Sequence, residues 1–178
     1  MGLDDELRLE LTVSEHFHAV VALANELVLH EKLQSHHRTL GQAIQIALRA
    51  VGIKPGDKIL ANAYTLAPVP GAIHAVGAVP VFIEIGDDWL TDVDDLRAKA
   101  SESGAKFLML SHMRGHIADL DAVCKVCDDF GITMIEDCAH TMGAAWKGKK
   151  SGNFGKVACF STQTYKHLNS GEGGLLTT

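Results

Sequence analysis

Short apolar runs alternate with longer amphipathic stretches along most of this chain. The apolar runs predict buried β-strands, because a strand covered on both faces reads as a continuous apolar segment. The stretches between them carry apolar residues at helical spacing, which predicts α-helices. The predicted strands cover residues 58–61, 79–85, 106–111, 133–136 and 157–160, and the predicted helices cover residues 67–76, 92–102 and 119–130.

Strands that alternate with helices in this way form βαβ units. Their crossovers are right-handed, and the strands they connect are parallel. Glycines 56, 77, 104 and 131 stand at or just before strand entries, where helix C-caps are expected. The pattern therefore predicts a mostly parallel, doubly wound α/β sheet.

A further helix is predicted before this alternation, over residues 14–34, because apolar residues recur there at helical spacing. Thr12 and Glu15 have the spacing of a capping box, so the helix should begin near Thr12. We expect its apolar face to pack on the core of the chain, with a partner surface as the alternative. The chain then divides into an N-terminal helical segment, residues 1–38, and an α/β domain, residues 39–178.

Polar groups follow two of the predicted strands at the points where those strands end. Glu136 and Asp137 close one strand, Ser161 closes another, and Lys166 stands five residues beyond Ser161. Open α/β sheets bind ligands at strand ends, so an acid, a hydroxyl and an amine can converge there. Pyridoxal 5'-phosphate needs these three groups together: an amine to bond its aldehyde, a carboxylate for its ring nitrogen and donors for its phosphate.

Composition narrows the classes of ligand and location. The 178 residues are 47% hydrophobic, which suits one globular domain, and the formal charge of -6 disfavours nucleic acid or an anionic membrane as the main partner. No apolar run approaches the roughly 18 residues of a membrane span, and the N-terminus is acidic. We expect a cytoplasmic protein with a small-molecule ligand. Its four cysteines, including Cys124 and Cys127, are expected to be reduced core thiols.

Three segments carry a resemblance to a known family. They are EDCAH at Glu136, GKKSGNFG at Gly148 and FSTQTYKHLNSGEGG at Phe160. Together they resemble the DegT/DnrJ/EryC1/StrS group of sugar aminotransferases, which have the large-domain fold of pyridoxal-phosphate transferases. The resemblance spans roughly residues 48–178, and it implies that this chain corresponds to the N-terminal, cofactor-binding half with the C-terminal small domain absent.

The resemblance implies a role for several residues of the site. Lys166 matches the lysine that forms the Schiff base, and Asp137 matches the partner of the pyridine nitrogen. His140 stands where the family has Gln or His near the 3-oxygen of the cofactor, and Ser161 matches a hydroxyl that contacts the phosphate. Gln163 is a weaker candidate for cofactor contact.

Two segments depart from the family pattern. The family has a Gly-Thr or Gly-Ser turn at a helix start that binds the phosphate, whereas this chain has Leu40-Gly41. Backbone N–H groups near Thr39, Gly41 and Gln42 are the remaining candidates for that contact, and the preceding residues 35–38 are expected to form a short basic loop. Leu66 stands where an aromatic residue that stacks on the cofactor ring is frequent, so aliphatic packing is expected there, beside Tyr64 and Thr65.

A metal site is the alternative interpretation of the histidines at positions 112, 116 and 140. They lack the helical spacing with a carboxylate that zinc proteases use, since Gly115 interrupts the segment. We therefore predict no metal. Arg114, in the same segment after a strand, could contact a substrate or the cofactor.

The expected activity is that of a pyridoxal-phosphate-dependent aminotransferase. The resemblance implies a keto-sugar nucleotide as substrate, an amino acid as donor, and a homodimer or higher homo-oligomer with active sites between subunits. The alternative is a truncated, catalytically silent protein of the same fold that serves as a binding or structural module. An intact Lys166 and Asp137 favour the enzyme, while the altered phosphate loop favours the alternative.

Overall fold

The computed structural model describes residues 33–37 and 39–178 of the chain. Within them, one seven-stranded sheet and one two-stranded hairpin, β6–β7, are present. The strands are β1 (Leu33–His37), β2 (Lys58–Asn62), β3 (Val79–Ile83), β4 (Phe107–Ser111), β5 (Thr133–Asp137), β6 (Ala145–Trp146), β7 (Lys149–Lys150), β8 (Val157–Ser161) and β9 (Gly174–Thr177). The helices are α1 (Leu40–Ala50), α2 (Pro68–Ala75), α3 (Val93–Ser103) and α4 (Leu120–Phe130), with a short 3-10 turn at Met113–Gly115.

The strand order of the main sheet is β1-β9-β8-β5-β4-β2-β3. Neighbouring strands are parallel along the row β3-β2-β4-β5-β8. Strand β9 is antiparallel to both of its neighbours, β8 and β1. The predicted mostly parallel α/β architecture is confirmed. The antiparallel strand follows β8 without an intervening helix, so it returns along the sheet instead of crossing over it.

The helices cover both faces of the sheet. Apolar residues of α1 and α2 form one core with Ile135 and Cys159, and residues of α3 and α4 form a second core with Met134 and Leu110 on the other face. This placement follows from right-handed crossovers, which bring successive helices to opposite faces when the strand order reverses. The sheet is therefore doubly wound, as predicted.

Local signals in the sequence fix most helix ends. The side chains of Thr39, Asp92 and Asp119 accept hydrogen bonds from backbone N–H groups in the first turns of α1, α3 and α4. Gly104 and Gly131 end α3 and α4 in the left-handed conformation, as predicted. Gly56 instead lies in a turn beyond the end of α1 and does not cap that helix.

The N-terminal prediction needs a correction at its end. Leu33 and Gln34, predicted as the end of a helix, belong to β1, and Ser35–His37, predicted as a basic loop, continue that strand beside β9. Backbone pairing with an exposed sheet edge outweighs the local helical pattern there. The remainder of the predicted helix, and Arg38, lie outside the described residues, and the domain division at residue 38 stays a prediction.

Across residues 33–37 and 39–178, no helix is both long and apolar enough to cross a membrane. The cytoplasmic location stays a prediction.

Gly174 of β9 lies very close to Thr39 at the start of α1, and this contact shapes the site described below. A Cβ on Gly174 would lie 2.7 Å from the Thr39 carbonyl oxygen, so a glycine is required where β9 passes the N-terminus of α1.

Candidate active site

Strand β5 divides its side chains between the two faces of the sheet. Met134 packs in the core under α3 and α4, and Ile135 packs in the core under α1 and α2. Side chains alternate along a strand, so Glu136 lies on the face of Met134 and Asp137 on the face of Ile135. The two consecutive acids therefore occupy different environments.

A cavity of about 400 Å³ lies on the α1 face, beyond the carboxyl ends of β5 and β8. Seven of the eight residues predicted for the site line it: Gly41, Leu66, Asp137, His140, Ser161, Gln163 and Lys166. Gln42 does not line this cavity, and its backbone N–H donates to the Thr39 side chain at 3.2 Å. Within the described chain, then, the structure brings together residues that are far apart in sequence, and Gln42 is the exception.

Asp137 is a buried carboxylate that faces this cavity. Its Oδ1 accepts from the Ala139 N–H at 3.1 Å, and its Oδ2 accepts from the Ser111 hydroxyl at 3.2 Å. Burial raises the pKa of Asp137, and these two hydrogen bonds, with the charges of His112 and Lys166, lower it only in part. A cation placed in the cavity would stabilise this carboxylate.

Lys166 and His140 are in direct contact across the cavity. The Lys166 Nζ lies 2.7 Å from His140 Nε2, and the Arg114 backbone N–H donates to His140 Nδ1 at 3.3 Å. An Nδ1 that accepts carries no proton, so we infer that the neutral ring holds its proton on Nε2 and donates it to the Lys166 nitrogen. That contact requires the free amine.

The electrostatics of both groups agree with this assignment. Burial lowers the pKa of Lys166, the nearby Arg114 charge lowers it further, and Asp137 opposes the change. Burial also lowers the pKa of His140, with the charges of Lys166, Arg114 and His167 acting in the same direction. A lysine with a lowered pKa is a better nucleophile at neutral pH.

The part of the cavity wall formed by Thr39, Gly41 and Ser161 carries few groups that bind anions strongly. The Thr39 hydroxyl caps α1, and Gly41 lines the cavity next to it. The Ser161 hydroxyl, on the α1 face of β8, accepts from the Gln163 N–H at 3.4 Å and keeps its own proton available to a ligand. These groups suit a phosphate at the N-terminus of α1.

Leu66 and Tyr64 differ in their relation to the cavity. Leu66 lines it and is 44% exposed, so an apolar surface is available on that wall. The Tyr64 ring packs against Trp89 with centroids 5.2 Å apart and is not among the lining residues. The Thr65 hydroxyl is 2.8 Å from that of Ser111 and thus supports the hydroxyl that binds Asp137.

Glu136 was not predicted for any role, and it anchors a loop behind the cavity. Its carboxylate accepts from the N–H groups of Gly152, Phe154 and Gly155 at 2.6 to 2.9 Å, and it lies 3.1 Å from His112 Nε2. The segment GNFG, read from the sequence as a family signature, is the loop that surrounds it. The glycine spacing alone could have indicated a loop of free N–H donors, but not which acid they bind.

The histidines considered for a metal site do not cluster together. The described residues instead bring His112, Glu136 and Cys138 close, with ligand atoms within 4.8 Å of one another. Both carboxylate oxygens of Glu136 already accept N–H donors, and burial raises the pKa of the Cys138 thiol well above its usual range. These groups are arranged as hydrogen-bond partners and suit a metal ion poorly.

A larger cavity, about 550 Å³, lies at the opposite ends of β5 and β8 and is lined by Cys124 and Cys127 of α4. Burial raises the pKa of Cys127 to about 12, and that of Cys124 is raised for the same reason. A raised pKa leaves less of each thiol as the reactive thiolate, and Cys127 is buried, as predicted, whereas Cys124 is partly exposed. The smaller cavity, where an amine, an acid and an imidazole converge, is therefore the candidate active site.

The mostly parallel, doubly wound sheet is the fold of pyridoxal-phosphate-dependent aminotransferases. Residues 39–178 match the family model described as "DegT/DnrJ/EryC1/StrS aminotransferase family". The chain belongs to this family.

The relatives of this chain include enzymes named for different substrates. The chain is 38% identical over 136 residues to L-glutamine:2-deoxy-scyllo-inosose aminotransferase of Streptomyces kanamyceticus, a match that covers 76% of this chain and 32% of the relative. It is 36% identical over 137 residues to GDP-perosamine synthase of Vibrio cholerae, covering 76% of this chain and 37% of the relative. The chain thus spans about a third of the length of the curated relatives it matches.

The fold is also that of solved proteins. A Streptococcus pneumoniae protein solved in its PLP-form superposes with a TM-score of 0.82 at 24% identity, over 94% of this chain and 46% of that one. The predicted fold class is confirmed by this match.

Proposed function

We propose that this chain forms the cofactor-binding part of a pyridoxal-phosphate-dependent aminotransferase, with Lys166 as the residue that bonds the cofactor. The observation that carries the proposal is the shared cavity of Lys166 and Asp137, with His140 in contact with the amine. The family consists of aminotransferases, and the cofactor is that of the solved neighbour in its PLP-form.

The residues of the cavity fit the cofactor. Pyridoxal phosphate, when bound, supplies an aldehyde that bonds amines covalently and a ring that draws in the electrons of a broken C–H bond. Asp137 would hold the proton on the ring nitrogen, since its buried carboxylate faces the cavity and, within the described part of the chain, accepts hydrogen bonds from Ala139 and Ser111 alone. Ser161 and the backbone near Gly41 would bind the phosphate, and Leu66 would pack on the ring.

The protein residues then divide the proton chemistry. The Lys166 amine, whose pKa is lowered by burial and whose nitrogen lies 2.7 Å from His140 Nε2, is the proposed nucleophile. Once an amino-acid donor has taken its place, the same nitrogen is free to remove the proton from the donor Cα as a general base. Asp137, through its negative charge, favours the protonated ring that this step requires.

The substrate class is proposed by similarity. The two relatives are an L-glutamine:2-deoxy-scyllo-inosose aminotransferase and a GDP-perosamine synthase. Their names support an amino-acid donor and a keto-sugar or nucleotide-linked keto-sugar acceptor. Direct assay of the chain with L-glutamine and candidate keto-sugars tests this. If the chain binds the cofactor but transfers no amino group to a keto-sugar, the catalytically silent binding module is the better description.

Covalent trapping tests the central residue. Pyridoxal phosphate is added to the purified chain, the mixture is reduced with borohydride, and the modified peptide is identified by mass spectrometry. We expect Lys166 to carry the label and Lys166→Ala to lose it almost entirely. The variant Lys54→Ala, which removes an exposed lysine far from the cavity, should be labelled like the wild type. Label on another lysine in the wild type would overturn the assignment.

We also propose a homodimer or higher homo-oligomer. Apolar and aromatic surface is exposed around the cavity, since Leu66 is 44%, Trp89 56% and Tyr165 89% exposed, and exposed apolar surface of this kind supports burial by a partner. Light scattering should report at least twice the chain mass of 19.1 kDa at micromolar concentration. A stable monomer that binds pyridoxal phosphate would contradict this.

A further inference from the structure

Arg114 is a cation at the edge of the candidate active site that the cofactor assignment leaves without a role. It follows β4 in the turn Met113–Gly115, and its side chain is exposed. Its backbone is left-handed, with φ 58° and ψ 17°, a conformation that costs a non-glycine residue energy and is often kept at functional sites. Across residues 39–178, no carboxylate forms an ion pair with it.

The turn holds Arg114 close to the reacting amine. Its backbone N–H donates to His140 Nδ1 at 3.3 Å, and His140 Nε2 lies 2.7 Å from Lys166 Nζ. Met113, the residue before it, lines the cavity. The charge of Arg114 also contributes to the lowered pKa of both Lys166 and His140, as expected for a guanidinium near both groups.

The position of Arg114 separates it from the proposed phosphate ligands. Ser161 ends β8, Arg114 follows β4, and β5 lies between these two strands in the sheet. Neighbouring strands are about 4.8 Å apart, so the ends of β8 and β4 are roughly 10 Å apart on opposite sides of Asp137. Arg114 and Ser161 thus follow strands on different sides of Asp137, so a second anion can bind near Arg114 while the phosphate binds near Ser161.

An amino-acid donor supplies such an anion. Its amine must reach the position of the Lys166 nitrogen, and its α-carboxylate oxygens lie only about 3 Å from that amine through three covalent bonds. A guanidinium beside the amine can bind that carboxylate with two parallel hydrogen bonds. We propose that Arg114 binds the α-carboxylate of the amino-acid donor and thereby selects amino acids over simple amines.

Binding of a donor analogue to two matched variants tests this proposal, which rests on the proposed function. Glutaramate, which is glutamine without its amino group, is titrated calorimetrically into the full chain without added cofactor. We expect Arg114→Gln to bind it about 10- to 100-fold more weakly, the loss typical of a hydrogen bond to a charged group. Arg49→Gln, which removes an equal charge from the far end of α1, should bind it like the wild type.

A second titration separates donor recognition from general anion attraction. L-glutamine and 4-aminobutanamide, its analogue without the α-carboxylate, are added to the cofactor-loaded chain, and the absorbance change gives an apparent Kd for each. Arg114→Gln should weaken only L-glutamine. Arg114→Lys, which keeps the charge but not the paired hydrogen bonds, should show an intermediate loss, and it replaces Arg114→Gln if that variant does not fold.

The outcomes distinguish this proposal from the assignment of Lys166. If borohydride labels Lys166 but Arg114→Gln binds both carboxylate ligands as the wild type does, the role of Arg114 is wrong and the cofactor assignment stands. Equal weakening of L-glutamine and 4-aminobutanamide would also overturn it, since the effect would then not involve the carboxylate. If Lys166 is not labelled, the proposed function itself fails, whatever Arg114 binds.

Discussion

Two consecutive acids on β5, Glu136 and Asp137, have opposite electrostatic properties although both are buried. Burial acts on both to raise the pKa. Hydrogen bonds from His112, the charge of His112 and hydrogen bonds from the backbone of Gly155 and Gly152 nevertheless lower the pKa of Glu136 below its ordinary value. The pKa of Asp137 stays above its ordinary value, because its hydrogen bonds compensate for burial only in part. The difference comes from the surroundings of each carboxylate.

The surroundings of Glu136 are complete without a ligand. Both of its oxygens accept N–H donors from the loop that contains Gly152, Phe154 and Gly155, and His112 contacts the same carboxylate. A Cβ on Gly155 would lie 2.8 Å from the Met134 carbonyl oxygen, so only glycine lets the loop approach this closely. Glu136 therefore stabilises the wall behind the site.

The surroundings of Asp137 are complete only with a cation. It has one backbone donor and one hydroxyl donor, and its open side faces the cavity that contains Lys166. A buried acid whose raised pKa is only partly offset by its hydrogen bonds, and which borders a cavity, is a common mark of a functional site. One strand thus carries on one face an acid enclosed by protein donors and on the other face an acid that borders a cavity.

The largest expected effect is on stability at Glu136. The variant Glu136→Gln carries an amide NH₂ in place of one carboxylate oxygen. This NH₂ faces backbone N–H donors, so those buried donors lose their acceptor. We expect the free energy of unfolding to fall by about 3 kcal/mol, measured by urea titration. The exposed Glu102→Gln should change it by less than about 0.5 kcal/mol. Equal small effects of both variants would refute the anchoring role.

A smaller effect of opposite sign is expected at Asp137. Asp137→Asn removes the buried charge, while its amide can still accept from Ala139 and donate to Ser111, so the chain without cofactor should gain about 1–2 kcal/mol in unfolding free energy. Pyridoxal phosphate should stabilise the wild type against urea and leave this variant nearly unchanged. A variant that is destabilised, yet still stabilised by the cofactor, would show that Asp137 has a structural role only.

The smallest effect is a difference in pH dependence. The wild type is expected to be more stable than Glu136→Gln above about pH 4.5, the pKa of Glu136 in the unfolded chain. This difference in unfolding free energy disappears as the pH falls through the lowered pKa of Glu136 in the folded chain. Asp137→Asn is expected to be more stable than the wild type above the raised pKa of Asp137 in the folded chain. This difference in unfolding free energy disappears as the pH falls toward 3.8, the pKa of Asp137 in the unfolded chain. Urea titrations between about pH 3 and 8 should therefore show both differences in unfolding free energy shrinking on acidification. A difference that grows as the pH falls would contradict the assigned pKa direction of that carboxylate.

Much of the fold could be predicted from local patterns. Strands β2, β4, β5 and β8 and helices α3 and α4 lie close to their predicted positions, because continuous apolar runs, Asp N-caps and glycine C-caps act locally. Strand β1 could not be predicted, since residues 33–37 form a strand only because β9 offers an unpaired edge. That partner follows about 140 residues later in the chain.

The sequence by itself determined that an acid, a hydroxyl and an amine stand at the ends of successive strands, and it carried the motifs of the family. Strand alternation also required Glu136 and Asp137 to face opposite sides. The tertiary structure decided which side holds the cavity, because that depends on where α1 packs. It also decided that the loop Gly152–Gly155 binds Glu136 and that the turn after β4 places Arg114 beside His140 and Lys166. Those contacts join residues 16 to 26 positions apart, and only the sheet order brings them within hydrogen-bonding reach.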